Sequence, residues 1–145
     1  VDAAREIHRG PLLTEVVRLL ESAALPTVDL IDEHMRDFFY AGPANAPVGV
    51  VGLQFHGTDA LLRSLVVTNA HRTQGLGGRL VEYAEQCARE RGAATIYLLT
   101  TTAEPFFRSR GYVLTARETA PAAIRSTPEF AGLCPASSAF LSKRL

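Results

Sequence analysis

Two cysteines in 145 residues are too few for a disulfide framework, and they fall in different settings, Cys87 in a helical stretch and Cys134 in a late loop. Cys87 reads as core. The four histidines, His8, His34, His56 and His71, lack the close spacing of a metal site, so no metal is expected. Net charge is also missing: 15 basic residues balance 15 acidic ones, so nothing global draws a nucleic acid or a membrane surface. No apolar run approaches the roughly 18 residues of a membrane-spanning helix. The N-terminus carries no basic-then-apolar signal pattern. These absences lead to the expectation of a cytoplasmic protein whose partners are small molecules. At 47% hydrophobic residues, the chain fits a single domain over residues 1–145 with one core.

What is present is a β-rich run, Leu65 to Thr68, that stops at a glycine-rich loop from which an amphipathic helix begins at once. The loop is spaced Arg72-x-x-Gly75-x-Gly77, with Gly78 next. Glycine has no Cβ to hold the main chain away from a ligand. Amides at the start of the following helix lack partners, and the helix dipole favours negative charge there. The residues Arg72, Thr73, Gln74, Gly75, Leu76, Gly77, Gly78 and Arg79 therefore read as an anion cradle, with pyrophosphate the natural occupant. No Gly-Lys-Ser/Thr ending marks a P-loop, and no Gly-x-Gly-x-x-Gly with a later ribose-binding acid marks a dinucleotide fold. Residues 60–81 hold Arg63, Arg72 and Arg79 but no Asp or Glu, which suits a polyphosphate. The plainer alternative is a tight strand-to-helix turn without a ligand.

Arg72-x-x-Gly75-x-Gly77, preceded by the strand Leu61 to Thr68, resembles the acetyl-CoA motif of the GNAT superfamily of N-acetyltransferases. The resemblance implies that the loop amides hold the pyrophosphate of acetyl-CoA, the co-substrate, and that main-chain groups of Val66 and Val67 pair with the pantetheine arm. The stretch Leu98 to Tyr112 resembles the acetyltransferase domain of N-acetylglutamate synthases. Together with Ala120 to Ser138 it is similar to the small acetyltransferases encoded in arsenic-resistance operons. The implied fold is a central mixed, mostly antiparallel sheet with helices on both faces.

Hydrophobic periodicity places an amphipathic helix from Pro11 and Thr14 to Glu21 and a hairpin of Arg36–Tyr40 with Val48–Phe55 around a Gly42–Pro47 turn. A strand is expected at Arg5–His8 and a short helix at Leu30–His34. Leu61–Thr68 is apolar almost throughout, as a central strand requires. The helix after the loop turns Leu76, Leu80, Ala84, Cys87 and Ala88 to one side and Glu82, Glu85, Gln86 and Arg89 outward, ending at Gly92. Thr95–Thr100 is a buried strand completing a βαβ unit. A short helix capped by Thr101 or Thr102 ends near Gly111, and Tyr112–Arg117 and Ala136–Leu141 are the last strands. The order β, α, α, β, β, β, α, β, α, β, β matches the one the resemblance implies.

Acetyl transfer to an amine needs a neutral amine, a stabilised oxyanion and a tolerable leaving thiolate. The main-chain amide of Val67, at the end of the central strand, is the candidate for the oxyanion. Many GNAT enzymes place a Tyr four residues ahead of the glycine that ends the short helix. Here that position is Phe107, ahead of Gly111, so direct attack with protons leaving through water is expected. Tyr97, Glu104 and Cys134 are stand-ins for which structural duties come first.

For an amino-acid-like acceptor, a guanidinium is the best carboxylate clamp. Arg63, with Ser64 beside it, is the first candidate, because a lone Arg amid Leu61, Leu62, Leu65 and Val66 needs an open cleft or a partner. The competing reading pairs Arg63 with Asp59 or another acid. By resemblance to the glutamate synthases, Ser137 contacts the acceptor, whereas Pro135 stands where they have an Arg. From Pro105 to the end, Arg108, Arg110, Arg117, Arg125, Lys143 and Arg144 outnumber Glu118 and Glu129, which would welcome an anionic acceptor or merely form a solvated basic face.

The resulting expectation is acetyl transfer to the amine of a small amino-acid-like acceptor, in arsenic resistance an arsinothricin- or phosphinothricin-type molecule. The alternatives are an ordinary α-amino acid such as glutamate, or a non-catalytic acyl-CoA-binding module. A homodimer is compatible with the sequence.

Overall fold

The computed structural model describes residues 6–145, with Thr73 described for its backbone alone. Seven strands form one sheet in the order β1-β2-β3-β4-β5-β7-β6. They are β1 Ile7–Arg9, β2 Phe38–Ala41, β3 Gly49–His56, β4 Asp59–Val67, β5 Thr95–Thr100, β6 Val113–Leu114 and β7 Ala139–Arg144. The β4–β5 pair is parallel, from Asp59 opposite Thr95 to Leu61 opposite Tyr97. β1–β2, β2–β3, β5–β7 and β6–β7 are antiparallel, so the mixed, mostly antiparallel sheet is as expected. The helices are α1 Leu13–Ser22, α2 Leu76–Glu90, α3 Glu104–Arg108 and α4 Ala122–Arg125. None of the described helices is long and apolar enough to cross a membrane.

The chain divides into two compact units, one of residues up to Gln54 with Leu62–Cys87, the other of Phe55–Leu61 with Ala88–Leu145. In the first, Val16, Leu19 and Leu20 of α1 pack with Leu30, Met35, Phe38, Val50 and Val66. Each such side chain taken out of water contributes about 1.5–3 kcal/mol. β3 passes Phe38 so closely that a Cβ on Gly52 would lie 2.3 Å from the ring. Glycine is therefore obligatory there. In the second unit, Leu61, Ala120, Ile124 and Phe140 form the core, with Tyr97, Leu99 and Phe130 against it.

Local signals explain most boundaries. Gly92 at φ +86° ends α2, with its N–H on Arg89 O at 3.0 Å and that of Ala93 on Ala88 O at 2.9 Å. This is the two-bond arrangement that satisfies the last carbonyls of a helix. Five expectations need correction. α3 is preceded by Ala103, whose N–H is accepted by Thr100 Oγ1 at 3.0 Å, so Thr100 rather than Thr101 or Thr102 closes its start. The segment expected as a helix at Leu30–His34 is a 3₁₀ turn at Asp32–Asp37. Strand Tyr112–Arg117 shrinks to Val113–Leu114, because Arg117 turns into a 3₁₀ segment, Arg117–Thr119. The final strand starts at Ala139, not Ala136, since the Pro135 carbonyl accepts the Ser138 N–H in a turn. Glu85, expected outward on α2, is buried at 5% exposure. The first strand begins at Ile7; Arg5 lies outside the described residues.

Candidate active site

β4 leads the first unit to its glycine loop. Midway along it Ser64 sits at φ +63°. A non-glycine residue in the left-handed region costs roughly 1–2 kcal/mol. Here Ser64 is held by its neighbour, for Arg63 Nε donates to Ser64 Oγ at 3.0 Å. The rest of the Arg63 guanidinium meets Asp29: Nη2 donates to Oδ1 at 3.0 Å and Nη1 to Oδ2. The Arg63 side chain is fully enclosed, and that of Asp29 is 11% exposed. Arg63 thus does not face an open cleft. A guanidinium on an apolar strand needs a counter-charge, and the acid that supplies it is Asp29, not Asp59.

After Val67 the chain enters a 3₁₀ segment, Asn69–Gln74, then Gly75 at φ +76°, ψ +10°, then α2. Thr68 closes the first turn: its carbonyl accepts the His71 N–H at 2.9 Å and its Oγ1 lies 3.0 Å from His71 Nδ1. Arg72 folds back, its Nε donating to Val67 O at 3.0 Å. A Cβ on Gly75 would meet nothing within 4 Å, so the backbone conformation, not crowding, demands glycine at this position. The first i→i−4 bond of α2 runs from Arg79 N–H to Gly75 O at 3.2 Å. The amides of Leu76, Gly77 and Gly78 precede it and form the donor set of a helix start. Arg72, Gln74, Gly75 and Arg79 are exposed, whereas Val66, Leu76 and Gly78 are buried. Residues 60–81 hold no carboxylate, and a helix start favours negative charge. The link from the loop back to the end of β4 is the Arg72 to Val67 bond.

The second unit holds the remaining candidates. Phe107 is buried, edge-on to Phe106 at 5.0 Å and to Tyr112 at 5.4 Å between ring centroids. It is a core aromatic and offers no proton. Glu104 pairs with Arg108 at 3.3 Å on the surface, and the Cys134 thiol donates to Glu129 Oε2 at 3.2 Å. Tyr97 stacks on Phe140 at 5.6 Å with planes 9° apart. Burial, and secondarily the Asp59 charge, raise its hydroxyl above the ordinary 10.0, so it stays protonated at neutral pH. All three stand-ins have structural duties.

Ser137 is exposed in the turn before β7. Its neighbours are held by Arg117, whose Nη2 donates to Ser138 O at 2.7 Å and to Ala136 O at 3.3 Å. Ser138 is buried, and its Oγ has no hydrogen-bond partner among the described residues. Sequence reasoning missed Asp29 and Arg117 as anchors. Neither carries a local signal, since their partners lie 34 and 19–21 residues away.

Residues 35–114, more than half of the chain, match the family model described as the acetyltransferase (GNAT) domain. Over 87 residues the chain is 37% identical to an uncharacterized N-acetyltransferase of Chlorobaculum tepidum, covering 59% of this chain and 56% of that protein. It is 39% identical over 62 residues to an amino-acid acetyltransferase of Pseudomonas putida, covering 43% of this chain and 14% of that protein. The chain therefore spans about half, or far less, of these relatives. Among solved structures, N-acetylglutamate synthase from Neisseria gonorrhoeae, complexed with coenzyme A and N-acetyl-glutamate, superposes with a TM-score of 0.80 at 19% identity, over 97% of this chain and 35% of that one.

Proposed function

The chain belongs to the GNAT acetyltransferase family, and from that premise we propose that it transfers the acetyl group of acetyl-CoA to the amine of a small amino-acid-like acceptor. The observation that carries this reading is the loop itself: a left-handed Gly75 followed directly by the first turn of α2, with no Asp or Glu in residues 60–81. In the proposed mechanism the amides of Gln74 to Gly78 hold the pyrophosphate, and Arg72, Thr73 and Arg79 border it. Main-chain groups of Val66 and Val67 accept the pantetheine arm, and the Val67 amide faces the developing oxyanion.

The amine nitrogen attacks the thioester carbonyl carbon, the C–S bond breaks, and coenzyme A leaves as thiolate while the proton lost by nitrogen passes to water. A thiol pKa of about 8.5 makes the thiolate a fair leaving group, and an amine of pKa about 8 is roughly a tenth neutral at pH 7. Phe107 supplies no acid and none is required. Ser137 touches the acceptor. Arg63 and Ser64 contribute by shaping β4 just before Val66 and Val67, with Asp29 neutralising the guanidinium.

The acceptor class is supported by the amino-acid acetyltransferase and N-acetylglutamate synthase similarities. Within that class, the likeness of Leu98–Tyr112 and Ala120–Ser138 to arsenic-operon enzymes favours an arsinothricin- or phosphinothricin-type amine, ahead of glutamate. The test is thiol release from acetyl-CoA over a panel of arsinothricin, phosphinothricin, glutamate, other amino acids, a polyamine and a lysine peptide. Saturable turnover of one amino-acid-like amine, with acetyl-CoA affinity lost in Gly75→Val, is the expected result. Tight acetyl-CoA binding with silence across the panel would instead favour a non-catalytic acyl-CoA-binding module.

A further inference from the structure

We propose that Arg117 is the residue that recognises the anionic group of the acceptor, taking the part for which Arg63 is unavailable. The inference deepens the reading of Ser137 as an acceptor contact and rests on it. Both arginines are half of a contrast the fold makes explicit. Arg63 is enclosed and its charge is neutralised by Asp29. Arg117 is half-buried, and among the described residues no carboxylate pairs with it. One of its nitrogens, Nη2, spans two carbonyl dipoles, Ala136 O and Ser138 O. Those two carbonyls flank Ser137. The guanidinium carbon lies 5.4 Å from the centroid of Phe130, which meets Phe140 edge-on at 5.2 Å, and Phe140 in turn stacks on Tyr97.

This stack matters chemically. A guanidinium fixed over an aromatic face loses little further freedom when it binds a ligand, and its planar fork presents several N–H donors at once. With Nη2 committed to the turn, Nε and Nη1 are the donors left to face a carboxylate or phosphinate oxygen beside the Ser137 hydroxyl. The nearby Ser138 Oγ is buried without a partner among the described residues, one unsatisfied hydroxyl in the same turn. A cation without a counter-ion among the described residues, held over an aromatic ring next to an exposed serine, has the composition of an anion-recognition site.

The experiment compares an amino-acid acceptor with its α-carboxamide, an otherwise matched amine without the anion, in the wild type and in Arg117→Gln and Arg117→Lys. Loss of a charge-assisted hydrogen bond is expected to lower kcat/KM for the anionic acceptor roughly tenfold to a hundredfold in Arg117→Gln, mainly through KM. The carboxamide and the KM for acetyl-CoA should change less than about threefold, with partial recovery in Arg117→Lys, which keeps the charge but not the fork. Equal losses on both acceptors would overturn the inference and leave Arg117 a prop for the turn, with the acetyltransferase reading intact. Turnover of neither acceptor by the wild type would overturn that reading and the inference together. Should Arg117→Gln not fold, the Arg117→Lys comparison decides, since an anion-reading role still requires its loss to be greater on the carboxylate.

Discussion

Removing Asp29 is the sharpest test of how β4 tolerates a charge. The Arg63 side chain has no solvent exposure, and both carboxylate oxygens of Asp29 accept from it. Asp29→Ala takes away the carboxylate that pairs with that guanidinium in an apolar strand, and breaking a buried pair in this way costs about 3–5 kcal/mol. That is a large share of the total stability of about 5–15 kcal/mol typical of such a protein. For a chain of this size the midpoint of thermal unfolding should fall by about 10–20 °C. Arg63→Met should cost less, because the Asp29 side chain is 11% exposed and can turn to water. The double variant Asp29→Ala/Arg63→Met removes both charges and should recover most of that loss. Urea and thermal unfolding of the four proteins measure the coupling directly. An Asp29→Ala protein within about 1 kcal/mol of the parent would refute the premise that Asp29 neutralises Arg63. If Arg63→Met raised the acceptor KM and the double variant left it raised despite restored stability, Arg63 would belong to the acceptor site after all.

Gly52→Ala should destabilise by about 1–3 kcal/mol or more, since its Cβ would sit 2.3–2.6 Å from three atoms of the buried Phe38 ring, and Phe38→Leu should relieve the clash; an unchanged midpoint would contradict that packing. Tyr97 has its hydroxyl raised above 10.0, chiefly by burial. Its contribution to stability is therefore complete below about pH 10 and lost as pH rises toward the folded-state value, so Tyr97→Phe should flatten the alkaline fall measured by urea unfolding between about pH 9 and 11. Phe107→Tyr places a hydroxyl in a pocket 4% exposed, at a cost of about 1–3 kcal/mol if it finds no partner. Turnover should change less than about threefold, whereas a tenfold gain would mean that protonation of the leaving thiolate limits the rate.

The cofactor-side features were legible because they are local. A glycine that must sit at positive φ, a helix start at the very next residue and the absence of acids are properties of consecutive residues, and in the structure Gly75 is left-handed and α2 begins at Leu76. The apolar stripe of Leu76, Leu80, Ala84, Cys87 and Ala88 is buried for the same reason, a 3.6-residue period facing one core. β5 was read to the residue, Thr95–Thr100, because a buried strand bounded by Gly92 and a helix cap has little freedom. By contrast, the segment between β6 and β7 yielded no periodicity. There α4 and the irregular Glu129–Leu133 helix are stabilised by Ile124 and Phe130 packing with Leu61 of β4 and Phe140 of β7, and Arg117 lies over the Phe130 ring.

The sequence by itself thus determined the family, the glycine loop and the elements on either side of it, since each rests on spacing within about 15 residues. The tertiary structure alone decided which arginine is neutralised. Nothing local distinguishes Arg63 from Arg117; one meets Asp29 across 34 residues, while the other lies over Phe130, donates to the carbonyls on either side of Ser137 and pairs with no carboxylate among the described residues.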